Sequence, residues 1–133
     1  MAQEMTPEIL ISEALEQMEH RPMKLYPIAA LKNAAAPFGF FRRSIESEEN
    51  ALDGPTGLMS ADFEISIVAA TYEQLSAYCM AARAALLELR GVERNGLLIE
   101  SVTVRQASPD LEETEVNLYR RVYILHIDYQ YTR

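Results

Sequence analysis

The sequence predicts an α+β fold: a mainly antiparallel sheet of four to five strands with two helices packed on one face. Three observations predict it. Residues 59–69 alternate, with Met59, Ala61, Phe63, Ile65, Ile67 and Ala69 on one side and Asp62, Glu64 and Ser66 on the other, until Val68. That period of two marks a strand with one covered face. Directly afterwards Thr71-Tyr72-Glu73-Gln74 opens an Ala-rich stretch in which Leu75, Tyr78, Cys79, Ala82, Leu86 and Leu89 recur at helical spacing. Residues 118–131 alternate again and form the longest predicted strand. Strands separated by short turns favour antiparallel pairing, and the helices then gather on the apolar face.

The remaining elements follow in order. Thr6 suits the cap position, Pro7 the first helical position, and Glu8 the positive end of the helix dipole. Ile11, Ala14, Leu15 and Met18 then share one face, so helix 1 is predicted over residues 7–19, ended by Pro22. Lys24-Leu25-Tyr26-Pro27 reads as a short strand entering a loop. Residues 28–37 are Ala-rich and approach the next strand in extended form. Residues 38–47 form that strand, with Gly39 marking a bulge or a close backbone approach. Asp53-Gly54-Pro55-Thr56-Gly57 is strong turn punctuation. Thr71 with Gln74 fits a capping box, and Gly91 fits the left-handed residue that ends helix 2 after about eighteen residues. A strand is expected over residues 97–107. The face of the last strand that holds Tyr119, Arg121, Tyr123, Leu125, Ile127, Tyr129 and Tyr131 is expected to be buried, with its tyrosine-rich end open to an interface role.

At 133 residues the chain reads as one domain, residues 1–133, large enough to bury a core without metal or disulfide. The single Cys79 has no partner within the chain and fits a reducing compartment. The start Met1-Ala2-Gln3-Glu4-Met5 lacks the pattern of a signal peptide, and no apolar run approaches the length of a membrane span. A soluble product of the cytoplasm, with no membrane association, is expected.

Net charge is −8, and its placement is informative. Residues 46–57 hold Glu46, Glu48, Glu49 and Asp53 without a Lys or Arg. Residues 106–117 hold Asp110, Glu112, Glu113 and Glu115, again without one. These eight acids equal the whole imbalance between 20 acids and 12 bases. Two acidic loops on a neutral body argue against nucleic-acid binding, which needs clustered Lys and Arg.

Chemistry is absent from the sequence. Gly54 and Gly57 precede a strand, whereas a phosphate loop needs a Lys and a helix N-terminus. His20, His126 and Cys79 lack the local spacing of a zinc site. Cys79 lies on an apolar stripe, which raises a thiol pKa and hides the sulfur. Glu46, Glu48 and Glu49 do not follow a calcium-loop pattern. Phe38, Phe40 and Phe41 resemble a stacking platform, yet Arg42 and Arg43 alone do not supply the cationic groove that single strands require. No catalytic residue, metal or cofactor is expected.

The order of these motifs resembles the tail completion family, related to the tail-terminator proteins of long-tailed phages. The likeness runs from Pro7 to Tyr131. It comprises the first helix, Leu25-Tyr26-Pro27, an Ala/Pro approach to the aromatic strand at Phe38–Phe41, Leu52-Asp53-Gly54, and the alternating strand. Ala70-Thr71-Tyr72, the Ala-rich helix and the closing strand complete it. The chain departs from the pattern by the acids at residues 46–49 and by its long 28–37 segment.

The resemblance implies a non-enzymatic virion protein made in the host cytoplasm. It implies a ring, commonly hexameric, at the head-proximal end of the tail, where it stops tail-tube growth and joins the head connector. The implied partners are further copies of the chain, the tail tube protein and the connector protein, with DNA passing through unbound. Two other readings remain: a neck connector or stopper, and a cytoplasmic adaptor domain unrelated to phage. Within the ring reading, Phe40, Phe41, Tyr129 and Tyr131 are candidate interface residues. One acidic loop is expected to line the lumen and the other to dock a neighbour.

Overall fold

A computed structural model describes residues 5–18, 23, 25–27, 37–51, 54–113 and 118–131. The elements in chain order are α1 (Pro7–Glu16), β1 (Leu25–Pro27), β2 (Phe38–Ala51), β3 (Gly54–Ala69) and α2 (Tyr72–Leu87). They are followed by β4 (Glu93–Arg94), β5 (Leu97–Gln106), β6 (Leu111–Glu113) and β7 (Leu118–Tyr131).

The strands form one sheet in the order β1-β2-β3-β7-β5-β4, with β6 also paired to β7. All pairings are antiparallel except β1 with β2. Four long strands, β2, β3, β7 and β5, make the body, and three pieces of two or three residues lie at its margins. The predicted fold class therefore stands. The short strands β4 and β6 were not visible in the sequence, because two or three residues carry no periodicity.

Both helices pack on one face. Phe63, Ile65, Ile67, Leu125 and Ile127 of β3 and β7 meet Leu10, Ile11 and Leu15 of α1 and Leu75, Cys79, Ala82 and Leu86 of α2 in one cluster. Burying each large apolar side chain contributes roughly 1.5–3 kcal/mol, so this layer is the main source of stability. The 16 residues of α2 span about 24 Å, enough to cross the four long strands. Thr71 Oγ1 accepts from the Gln74 amide at 3.1 Å, and Gln74 Oε1 accepts from the Ala70 amide at 3.2 Å. Thr71 caps as expected, while Gln74 reaches back one residue further than a capping box requires, to Ala70. Thr6 likewise caps α1, accepting from the Ile9 amide.

Three boundaries differ from the sequence reading. Helix α1 ends at Glu16, and residues 19–22 lie outside the described residues. Helix α2 ends at Leu87; Gly91 is left-handed at φ +82°, but a turn through Glu88 to Arg90 separates it from the helix. The largest difference is at the expected turn and first acidic loop. Strand β2 continues through residue 51, and β3 starts at Gly54, with Ala51 opposite Gly54. The acidic stretch is thus one strand of a long hairpin, and Gly54-Pro55-Thr56-Gly57 belongs to the other. Gly57 adopts φ +84° beside a register shift between Glu48 and Asn50, a conformation natural to glycine in a bulge. A second shift falls between Arg43 and Ile45. Gly39 itself is regularly paired to Leu25 and Ile67.

Candidate functional site

Among the described residues, the sheet's second face carries no helix; it is built from the polar sides of β2, β3, β7 and β5. Its centre is His126 on β7. Nδ1 lies 2.5 Å from Asp62 Oδ1 on β3, and Nε2 lies 3.3 Å from Asp128 Oδ1 two residues along β7. Asp128 accepts from Ser101 of β5 at 2.6 Å and also from Ser60 of β3. The cluster ties three strands together. The bond to Asp62 raises the His126 pKa, against the opposing effect of burial, and Asp128 adds to the rise. Burial alone would raise Asp128, but the two serine hydroxyls and His126 hold it low. Arg42 donates to Glu64 at 2.8 Å nearby. Ser66, Val68 and Val122 are buried on this face. In the register Phe40 stands opposite Ser66 and Phe38 opposite Val68.

A second polar cluster lies at the N-terminal end of α2. Arg121 on β7 makes a two-pronged pair with Asp110, Nε to Oδ1 and Nη2 to Oδ2, both at 2.8 Å. Tyr72 donates to Asp110 Oδ2 at 2.8 Å, and Gln106 Nε2 donates to Oδ1 at 3.1 Å. The Arg121 bond is the main reason that Asp110 titrates below the ordinary carboxylate range. Asp110 likewise raises Arg121. Cys79 lies beneath the cluster, and burial pushes its thiol up to about 11, so it is protonated and inert.

This geometry corrects several expectations. Asp110 is not a loop acid available to a lumen, because its carboxylate is engaged by Arg121, Tyr72 and Gln106. Glu112 is exposed on β6, opposite Tyr119 of β7. Glu113 ends β6, and Glu115 lies outside the described residues. Glu46 and Glu48 are strand positions opposite Ala61 and Met59, and Glu49 falls at the second register shift. Asp53 lies outside the described residues.

The four aromatic candidates do not form one patch. Phe41 stands opposite Ile65 and packs against the helix-side core, whereas Phe40 is on the other face. Tyr129 is 3% exposed and belongs to the core. Tyr131 is 50% exposed; its ring meets Tyr129 edge-on at 6.1 Å and its hydroxyl donates to the Met5 carbonyl at 3.1 Å. Phe40 is linked through Ser66 to Val122, nine positions before Tyr131, or roughly 30 Å along β7.

Among the described residues, no group of three or more His, Cys, Asp or Glu is placed to hold a metal ion. No helix among them is long and apolar enough to cross a membrane. A concavity of about 520 Å³ among the described residues is a groove between α1 and α2 lined by Ala14, Met18, Ala81, Ala85 and Leu89, with Gln17 and Glu88 at its polar side. It lacks convergent nucleophiles or acid–base pairs. What the chain does offer is open strand. Beyond Phe41, the outer side of β2 has no strand partner among the described residues, and beyond Ile99 neither does that of β5.

Both polar clusters were missed from sequence. The alternation placed Asp62, His126 and Asp128 on one kind of face, but cross-strand register brings them together, and register is not written in a single strand.

No protein-family profile and no curated protein matches the sequence. The fold itself does have counterparts. One solved chain, described as "Virion of native gene transfer agent (GTA) particle", superposes with a TM-score of 0.59 at 13% sequence identity. The superposition covers 90% of this chain and 84% of that one, so the two share a fold over nearly their full lengths.

Proposed function

We propose that the protein is a non-enzymatic virion component that forms a ring, of six copies, at the head-proximal end of a phage or prophage tail. There it ends growth of the tail tube and meets the head connector. The observation that carries this reading is the likeness in fold, over 90% of this chain, to a chain of a gene transfer agent virion. The order of sequence motifs supports it independently, since it resembles tail completion proteins across residues 7–131.

The physical character of the chain agrees. A ring subunit needs two different surfaces that meet head to tail. Among the described residues, the strand order leaves β2 and β5 open near opposite ends of the sheet. A ring of six such chains carries six times −8 in formal charge, which repels phosphate within about 8–10 Å at physiological salt. DNA then passes without adhering. Of the second acidic segment, Glu112, Glu113 and Glu115 serve that repulsion, while Asp110 belongs to the fold.

Tail-tube polymerisation in vitro tests the reading. Purified chain added to growing tubes should cap them, giving shorter tubes by negative-stain microscopy in proportion to the amount added. Tubes of unchanged length at every ratio would overturn it.

A further inference from the structure

We propose that Asn95-Gly96 is a deamidation site, that Glu93 clamps it shut in the folded chain, and that its conversion loosens α1 through Arg94. The reactant is water, and nothing in the site depends on ring formation.

Asn95 is the only one of the four asparagines in the sequence that precedes a glycine. Gly96 has no Cβ to keep its amide nitrogen from the side-chain carbonyl of Asn95. In the reaction that nitrogen gives up its proton and bonds to Asn95 Cγ, closing a cyclic imide. The side-chain nitrogen leaves with the proton as ammonia. Water then adds to either ring carbonyl and breaks its bond to the Gly96 nitrogen. Breaking the Cγ bond gives aspartate. Breaking the main-chain bond gives isoaspartate, in which the backbone runs through Cβ. In sum, an amide and water become a carboxylate and ammonium, with no change of oxidation state.

The fold opposes the first step. Asn95 and Gly96 form a two-residue turn between β4 and β5, with Arg94 opposite Leu97 and Glu93 opposite Leu98. Both turn residues have positive φ, +51° and +88°, the pattern that favours Asn-Gly in a tight hairpin. Glu93 Oε1 accepts from the Gly96 amide at 3.0 Å. Below the turn, the Gly91 amide donates to the Ile99 carbonyl at 2.8 Å, and the Ile99 amide to the Val92 carbonyl at 2.9 Å. To reach Cγ, the Gly96 nitrogen must turn away from Glu93 and lose its proton. The carboxylate resists both, since it holds the N–H and its charge disfavours the anion. Reaction is then confined to the fraction of time the turn is open.

The turn is also tied to the core. Leu97, on its far side, is fully buried. Arg94, on its near side, pairs with Glu13 of α1, the helix that brings Leu10, Ile11 and Leu15 to the core. Isoaspartate adds a methylene to the backbone directly after Arg94. That upsets the register with Leu97 and draws the guanidinium away from Glu13.

Peptide mapping by mass spectrometry tests the site. Wild type, Glu93→Ala and Glu93→Gln, each shown to be folded by thermal melting, are aged at mildly alkaline pH, and amide-to-acid conversion at residue 95 is timed. Glu93→Ala should convert at least about threefold faster than wild type, and Glu93→Gln, which keeps an acceptor without the charge, at an intermediate rate. In urea the three should convert at one common rate, above that of folded wild type. Equal rates for folded wild type and Glu93→Ala would overturn the clamp, and so would a difference between them that persists in urea. Absence of conversion at residue 95 in urea would overturn the site itself. Hydrogen exchange on aged wild type carrying isoaspartate at residue 95 tests the link to α1. The amides of α1 should exchange about twofold faster, a small factor because the Arg94–Glu13 pair is exposed. Unchanged exchange there would overturn the coupling.

Discussion

Asp110 and the hairpin acids Glu46, Glu48 and Glu49 stand in different settings. Asp110 sits under the start of α2, four hydrogen bonds converge on its carboxylate, and its arginine partner comes from the interior strand β7. Glu46 and Glu48 stand opposite Ala61 and Met59 in the register, at strand positions of the long hairpin. One acid holds the end of β5 against β7 and α2. The others lie on a strand whose outer side has no strand partner beyond Phe41 among the described residues. The difference teaches that acidic runs of equal charge take different places in a sheet according to what the next strand sets opposite them.

The largest expected effect that tests this contrast comes from Arg121→Met. The side chains of Arg121 and Asp110 are 16% and 19% exposed, so removing the cation strands a half-buried carboxylate. A loss of about 3 kcal/mol is expected, read as a lower urea midpoint at unchanged slope. The pH dependence should change with it. Because the native Asp110 pKa is lowered, its contribution is present above the ordinary value of 3.8 and is lost as pH falls through the native one. Wild type should therefore lose stability on that acid limb more steeply than Arg121→Met does.

A smaller effect is expected at His126, where the same kind of pairing lies nearer to solvent. Its pKa is raised, so its contribution is full below 6.5 and is lost as pH rises through the native value. Wild-type stability should decline over that window, and His126→Gln should remove the decline. The smallest effect on stability belongs to the hairpin. Replacing Glu46, Glu48 and Glu49 together by Gln should change unfolding free energy by less than about 0.5 kcal/mol, in keeping with surface positions. A loss as large as that of Arg121→Met would erase the distinction between the two acidic segments.

Much of the fold was legible. The alternation at residues 59–69 and 118–131, the Thr71–Gln74 cap and the apolar stripe from Leu75 to Leu89 each reflect a periodicity that one segment carries by itself. The hairpin was not, because Glu, Ser, Asn and Gly are poor strand formers and read as a loop; pairing to β3 overrides that preference. The aromatic run at Phe38–Phe41 gave the strand but not the division of Phe40 and Phe41 between faces in terms of what each meets. Tyr129 offered the same composition as Tyr131, and only packing against α1 and Arg43 separates core from surface. The Asp110–Arg121 pair joins residues eleven apart around a bend, a closeness that neither residue type signals.

The most direct test of the central claim is to locate the chain on assembled tails. Electron microscopy of tails carrying an epitope-tagged copy should show label at one end of the tube, the end that joins the head, with a ring of closed outline there. Label distributed along the shaft, or tails that assemble and join heads without the chain, would contradict the account.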